Sequence, residues 1–129
     1  MSDNSINSHI GIIIGFFFTM LGSCYATIKS AKFIDLEFKK FIPIVMANIL
    51  SIYNIIIIIV ISVNKLGDVD PNIILSATTI MGIGNMFSGI TMGNVCAMTN
   101  EYSIGLVIAI IFSESFAIFG LIIALLILS

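Results

Sequence analysis

Long uncharged apolar runs, broken by short charged stretches, make up the whole chain. Charged residues fall at position 3, within 29–40, within 65–70, at 101 and at 114. Between them lie the uncharged runs 4–28, 41–64, 71–100 and 115–129, the last reaching back to Tyr102 if Glu114 is allowed inside. Each full run has at least 24 residues, about 36 Å of helix at 1.5 Å per residue, and a hydrocarbon core needs about 20. Backbone in lipid must satisfy its own hydrogen bonds, so the pattern predicts an all-α membrane protein with four transmembrane helices. Asp70-Pro71 gives the third helix a sharp start, the aspartate as N-cap and the proline in the first turn. Pro43 sits near the start of the second, where its missing N–H costs little. The connections are short, so neighbours in sequence are antiparallel.

Composition sharpens this. The 129 residues are 59% hydrophobic and 9% charged, against about 25% charged in soluble domains, and the mean hydropathy is +1.20. The chain is read as a single membrane domain over 1–129. A net charge of −2 argues against a nucleic-acid partner. All five basic residues are lysines. Lys29, Lys32, Lys39 and Lys40 lie between helices 1 and 2, and the positive-inside rule places that 29–40 loop in the cytoplasm. The 94–102 loop then also faces the cytoplasm, and both termini and "NKLGDVD" face the lumen. Cys24 and Cys96 each stand alone in apolar segments and are expected as buried small side chains, with no metal site. "MSDNSINSHIGIIIGFFF" lacks a basic n-region and is read as a short tail leading into a retained helix, with His9 at the interface.

The two halves resemble each other. "MANILSIYNIIII" (46–58) aligns with "FSESFAIFGLIIA" (112–124) at an offset of 66. At an offset of 67, Gly15 falls on Gly82, Gly22 on Gly89 and Ala26 on Gly93. The chain therefore reads as a tandem duplication of one helical hairpin, about 8–64 and 71–128. Gly11, Gly15 and Gly22 on helix 1, and Gly82, Gly89 and Gly93 on helix 3, keep helical spacing and are expected as packing positions where backbones approach closely. Small first helices and bulky second helices suit concentric packing, with 1 and 3 inside a tight circle and 2 and 4 outside.

One residue breaks the apolar pattern of the last run, "IFSESFAIFGLIIALLIL" (111–128): the carboxyl of Glu114. A charge near the centre of a membrane helix costs about 2.5–3.5 kcal/mol on insertion scales. Its helical neighbours are Ile110, Ile111, Ala117 and Ile118. Every lysine lies in a loop or at a boundary, so desolvation favours the neutral, protonated form. That is the useful state of a proton carrier, which crosses lipid neutral and ionises where a cation and water are supplied. With no arginine here, the cation must come from another subunit. The plainer alternative is a protonated glutamate that only hydrogen-bonds between helices. Ser113 and Ser115 point to either side and are expected to bond back to their own helix. Under the alignment the partner of Glu114 is Asn48, either an interhelical hydrogen-bonding amide or a silent duplicate of the acid position; the two readings are compatible.

"GSCYATIKSAKF", "FKKFIPIVMANILSIYNIIIIIVI" and "IFSESFAIFGLIIALLIL" together resemble the proteolipid subunit c family of the vacuolar-type, proton-pumping ATPase. The resemblance covers essentially the whole chain. It implies a rotor ring of identical or paralogous proteolipids, with Glu114 carrying one transported H+ and exchanging it against an arginine of a stationary membrane subunit. Cytoplasmic central-stalk subunits, the lipid bilayer and an acidic endomembrane such as the vacuole complete the expected setting. The resemblance also implies that the Tyr53 hydroxyl approaches the acid, although Tyr53 reads equally as an ordinary buried tyrosine seeking one partner. Ile49 and Leu50 stand where sodium-carrying relatives have polar ligands, which favours protons over a hard cation. The chain departs from the family in "GNVCAMTNEYS", shorter and without arginine, and in Asn48 and Asn54 where the family has glycines. No GxxxxGK[ST] loop appears, so a noncatalytic subunit without cofactor is expected. The competing reading is a small four-helix proton-coupled multidrug antiporter, whose acid belongs on helix 1 beside aromatic residues. Helix 1 is read as having no acid, and the chain has no tryptophan.

Overall fold

The computed structural model describes residues 3–33, 42–63 and 70–128, with side chains from His9 onward. Four long helices make up these residues: α1 (Asp3–Ser30), α2 (Ile42–Val63), α3 (Pro71–Ala97) and α4 (Ile104–Leu128). A short 3₁₀ turn, Ala31–Phe33, closes α1. All four are long and apolar enough to cross a membrane. The shortest, α2, has 22 residues, about 33 Å of helix. The protein is an integral membrane protein of the all-α class. Helix α1 begins at Asp3 rather than after a tail, because nothing in 3–8 breaks a helix. Lys39, Lys40 and Lys65 fall outside the described residues.

The start of α3 follows from its sequence. Asp70 is the N-cap, its carboxylate accepting from the Asn72 backbone N–H at 3.0 Å, and Pro71 fills the first turn. The proline lacks only an N–H that would have no helical partner there. Pro43 is likewise the second residue of α2.

Packing is organised around α1 and α3, which share the largest interface of the bundle. They run parallel, so residues matched by the 67-residue offset meet one another. A Cβ added at Gly82 would come 2.8 Å from the Gly15 Cα, and one at Gly89 would land on the Gly22 backbone. Gly11 lies equally close to Leu75 and Thr78. Gly93 differs, because it makes room for the Tyr25 ring rather than for a helix backbone. Thr19 accepts from the Asn85 Nδ2 at 2.9 Å deep in the same seam, and Ser30 and Cys96 approach to 3.5 Å. Helix α4 packs antiparallel on α3 through a second close approach, Gly84 against Gly120.

Polarity is arranged inside out. Thr19, Ser23, Asn54, Asn85, Ser88, Ser113 and Glu114 are buried, whereas Ile13, Ile59, Phe112 and Leu126 are exposed. Hydrocarbon outside and hydrogen-bonding partners inside make this the stable arrangement in lipid. Two apolar clusters fill the interior, one built on Leu50, Met92 and Ile110, the other on Ile57, Ile74 and Met81. Tyr53 packs against both, which places it at the middle of the bundle.

Candidate functional site

Glu114 lies ten residues into the 25-residue α4, at the edge of that helix's inward face. Its neighbours Ile110 and Ala117 are fully buried, while Ile111 and Ile118, one position further round, are exposed. The side chain itself is 6% exposed. Across from it, α2 presents Tyr53, whose hydroxyl donates to the Glu114 Oε1 at 2.7 Å. The ring of Tyr53 bridges the two apolar clusters, so the hydroxyl is held by packing and not by a flexible stem. The residues that sequence singles out as acid and hydroxyl are brought together.

No cation among the described residues reaches this pair. Lys29 lies over the Tyr25 ring, 5.7 Å from its centroid, at the end of α1. Lys32 donates to the Asn100 Oδ1 at 3.5 Å beyond that helix end. One neutral donor does not compensate a carboxylate held away from water. The carboxyl is thus left with one neutral donor and no charged partner among the described residues.

The backbone around the acid is fixed from α3. Buried Ser88 donates its hydroxyl to the Ser113 carbonyl at 2.9 Å, immediately before Glu114. The first hairpin repeats the device, with Ser23 on α1 donating to the Ala47 carbonyl at 2.9 Å, immediately before Asn48. Sequence reading missed both serines. Ser113 and Ser115 bond back to Ala109 and Phe112 of their own helix.

Among the described residues Asn48 makes no interhelical bond. Its Nδ2 donates to the Ile44 carbonyl at 2.8 Å, one turn back, and the side chain is exposed. It lines an open groove of about 270 Å³ between α1 and α2 with Ser23, Cys24, Thr27 and Ser51. Cys24 is therefore exposed on that groove, not buried as expected, whereas Cys96 is buried. Among the described residues no cluster of His, Cys, Asp or Glu could hold a metal ion.

Four apolar spans around one midspan carboxyl define a polytopic membrane protein that holds an ionisable group in lipid. No family model matches the chain. A V-type proton ATPase subunit c of Candida tropicalis is 30% identical over 135 residues, covering 91% of this chain and 84% of that protein. The V-type proton ATPase 16 kDa proteolipid subunit c of Homo sapiens is 30% identical over 128 residues, 84% and 81% of the two chains. The V-type proton ATPase proteolipid subunit of Dictyostelium discoideum is 27% identical over 147 residues, 93% of this chain and 71% of that one. The chain belongs to the V-type proton ATPase proteolipid subunit c family.

Proposed function

We propose that this protein is the proton-carrying proteolipid of the membrane rotor ring of a V-type ATPase, with Glu114 as the group that binds and releases H+. The observation that carries the reading is the carboxyl of Glu114, 6% exposed at midspan, meeting a tyrosine hydroxyl and no cation among the described residues. Protonated, it accepts from Tyr53 on one oxygen and carries no charge. Ionised, it needs a positive partner that the described residues do not supply, so release happens where a stationary subunit presents an arginine. ATP is hydrolysed elsewhere in the complex, and cytoplasmic stalk subunits transmit the rotation.

Copies of the chain, alone or with paralogous proteolipids, form the ring as one membrane domain of two duplicated hairpins, about 8–64 and 71–128. The α1–α3 seam supports placing those helices inside, because it is the tightest interface and leaves α2 and α4 on the other face. Asn48 stands as the silent counterpart of the acid, turned onto its own helix. Protons rather than sodium are favoured because Asn48 and Ser51 line the α1–α2 groove, leaving too few oxygens for a hard cation at Glu114. The 29–40 and 94–102 loops face the cytoplasm and the termini face the lumen of an acidic endomembrane compartment, by the lysine bias. Family membership removes the ground for the antiporter reading.

The test is chemical and genetic. A carbodiimide is expected to label Glu114 selectively and to stop ATP-driven acidification of vesicles. Glu114→Gln is expected to abolish pumping while the complex still assembles. Persisting acidification with Glu114→Gln rejects the role.

A further inference from the structure

The seam between α1 and α3 has an outer face that the proton site does not use. A groove of about 420 Å³ runs along it, lined by Leu21, Tyr25, Met86, Ile90 and Asn94. Its polarity is graded along the helix axis. Leu21, Met86 and Ile90 form an apolar stretch. One turn towards the membrane edge, the Tyr25 hydroxyl donates to the Asn94 Oδ1 at 2.6 Å. A further turn on, the stem of Lys29 crosses Gly93 and its ammonium lies over the Tyr25 ring. Lys32 follows, held by the Asn100 amide oxygen and over the Phe33 ring. From Leu21 to Lys29 is eight residues, about 12 Å of rise.

Hydrocarbon, then neutral polar groups, then cations is the order in which a phospholipid presents acyl chain, ester linkage and phosphate to a helix face. Neither ammonium is neutralised by the groups that hold it, since a ring face and an amide oxygen carry no net charge. Glu101, exposed in the turn after α3, is the carboxylate of the described residues at this end. Basic pockets between transmembrane helices select anionic headgroups. We propose that the α1–α3 groove binds one anionic phospholipid, its acyl chain against Leu21, Met86 and Ile90 and its phosphate on Lys29 and Lys32. This site is independent of the proton-carrying role of Glu114.

The experiment is native mass spectrometry of the assembled protein, released from bilayers of phosphatidylcholine mixed with phosphatidylserine. The wild type is expected to retain phosphatidylserine in preference to phosphatidylcholine. Lys29→Gln with Lys32→Gln is expected to lower that preference by about thirtyfold, at roughly 1 kcal/mol per lysine. Ile90→Trp, which fills the apolar stretch and leaves both lysines, is expected to reduce retention of either lipid. An unchanged preference in the double lysine variant overturns the proposal. So does a wild type that retains no phospholipid while a variant with a photoreactive residue in place of Met86 crosslinks to another protein.

Discussion

Glu114 and Tyr53 are 61 residues apart in sequence, and the 2.7 Å bond between them exists only because α2 and α4 are neighbours. The acid was legible from the sequence, since a carboxyl inside an apolar run is costly and conspicuous. The tyrosine was not, because nothing local marks which buried hydroxyl will find which partner; only the family resemblance pointed to it. Asn48 aligns with Glu114 in the sequence, but its rotamer was not legible there. A short amide within a helix reaches the carbonyl one turn back as readily as a neighbouring helix. Tyr53→Phe separates hydroxyl from ring. We expect assembly to be unchanged, because the ring still bridges both apolar clusters, and vesicle acidification to slow by up to about tenfold, the worth of one hydrogen bond. Tyr53→Ala should in addition lower the thermal midpoint of the complex, through a cavity costing about 3 kcal/mol. Full pumping speed in Tyr53→Phe would mean that the hydroxyl only satisfies itself.

Helix spans were read from the charges alone to within a few residues, and the α1–α3 glycines from their spacing. The Gly84–Gly120 approach escaped that reading, because Gly84 stands outside the spaced series of α3 and α4 carries no such series. Close contact can be tested without touching the site. Gly89→Ala puts a methyl onto the Gly22 carbonyl, so the helices must separate. Overpacking of this kind costs about 1–3 kcal/mol, and a lower midpoint in detergent unfolding is expected. Gly105→Ala meets nothing closer than the Ser103 hydroxyl at 3.7 Å. There the change should be neutral or gain about 0.5–1 kcal/mol from helix entropy. Equal effects at the two positions would show that the seam is looser than its geometry.

Across the whole molecule, the ends of the bundle are tied in a fixed sense. Lys32 meets Asn100, and Phe33 stacks edge-on with Tyr102 at 6.3 Å, so the end of α1 and the α3–α4 turn share one side of the membrane. Asp70 and Asn72 begin α3 at the other. In an otherwise cysteine-free chain, Ala31→Cys and Met98→Cys should react with a membrane-impermeant maleimide from one side of sealed vesicles, and Asn72→Cys from the opposite side. Labelling of all three from one side would contradict the four-span arrangement. The contact between Gly22 and Gly89 also constrains descent. They fall on one another at the 67-residue offset, and each already has the smallest side chain that exists. A methyl acquired by one has no smaller replacement available in its mate, so drift at either position meets a dead end.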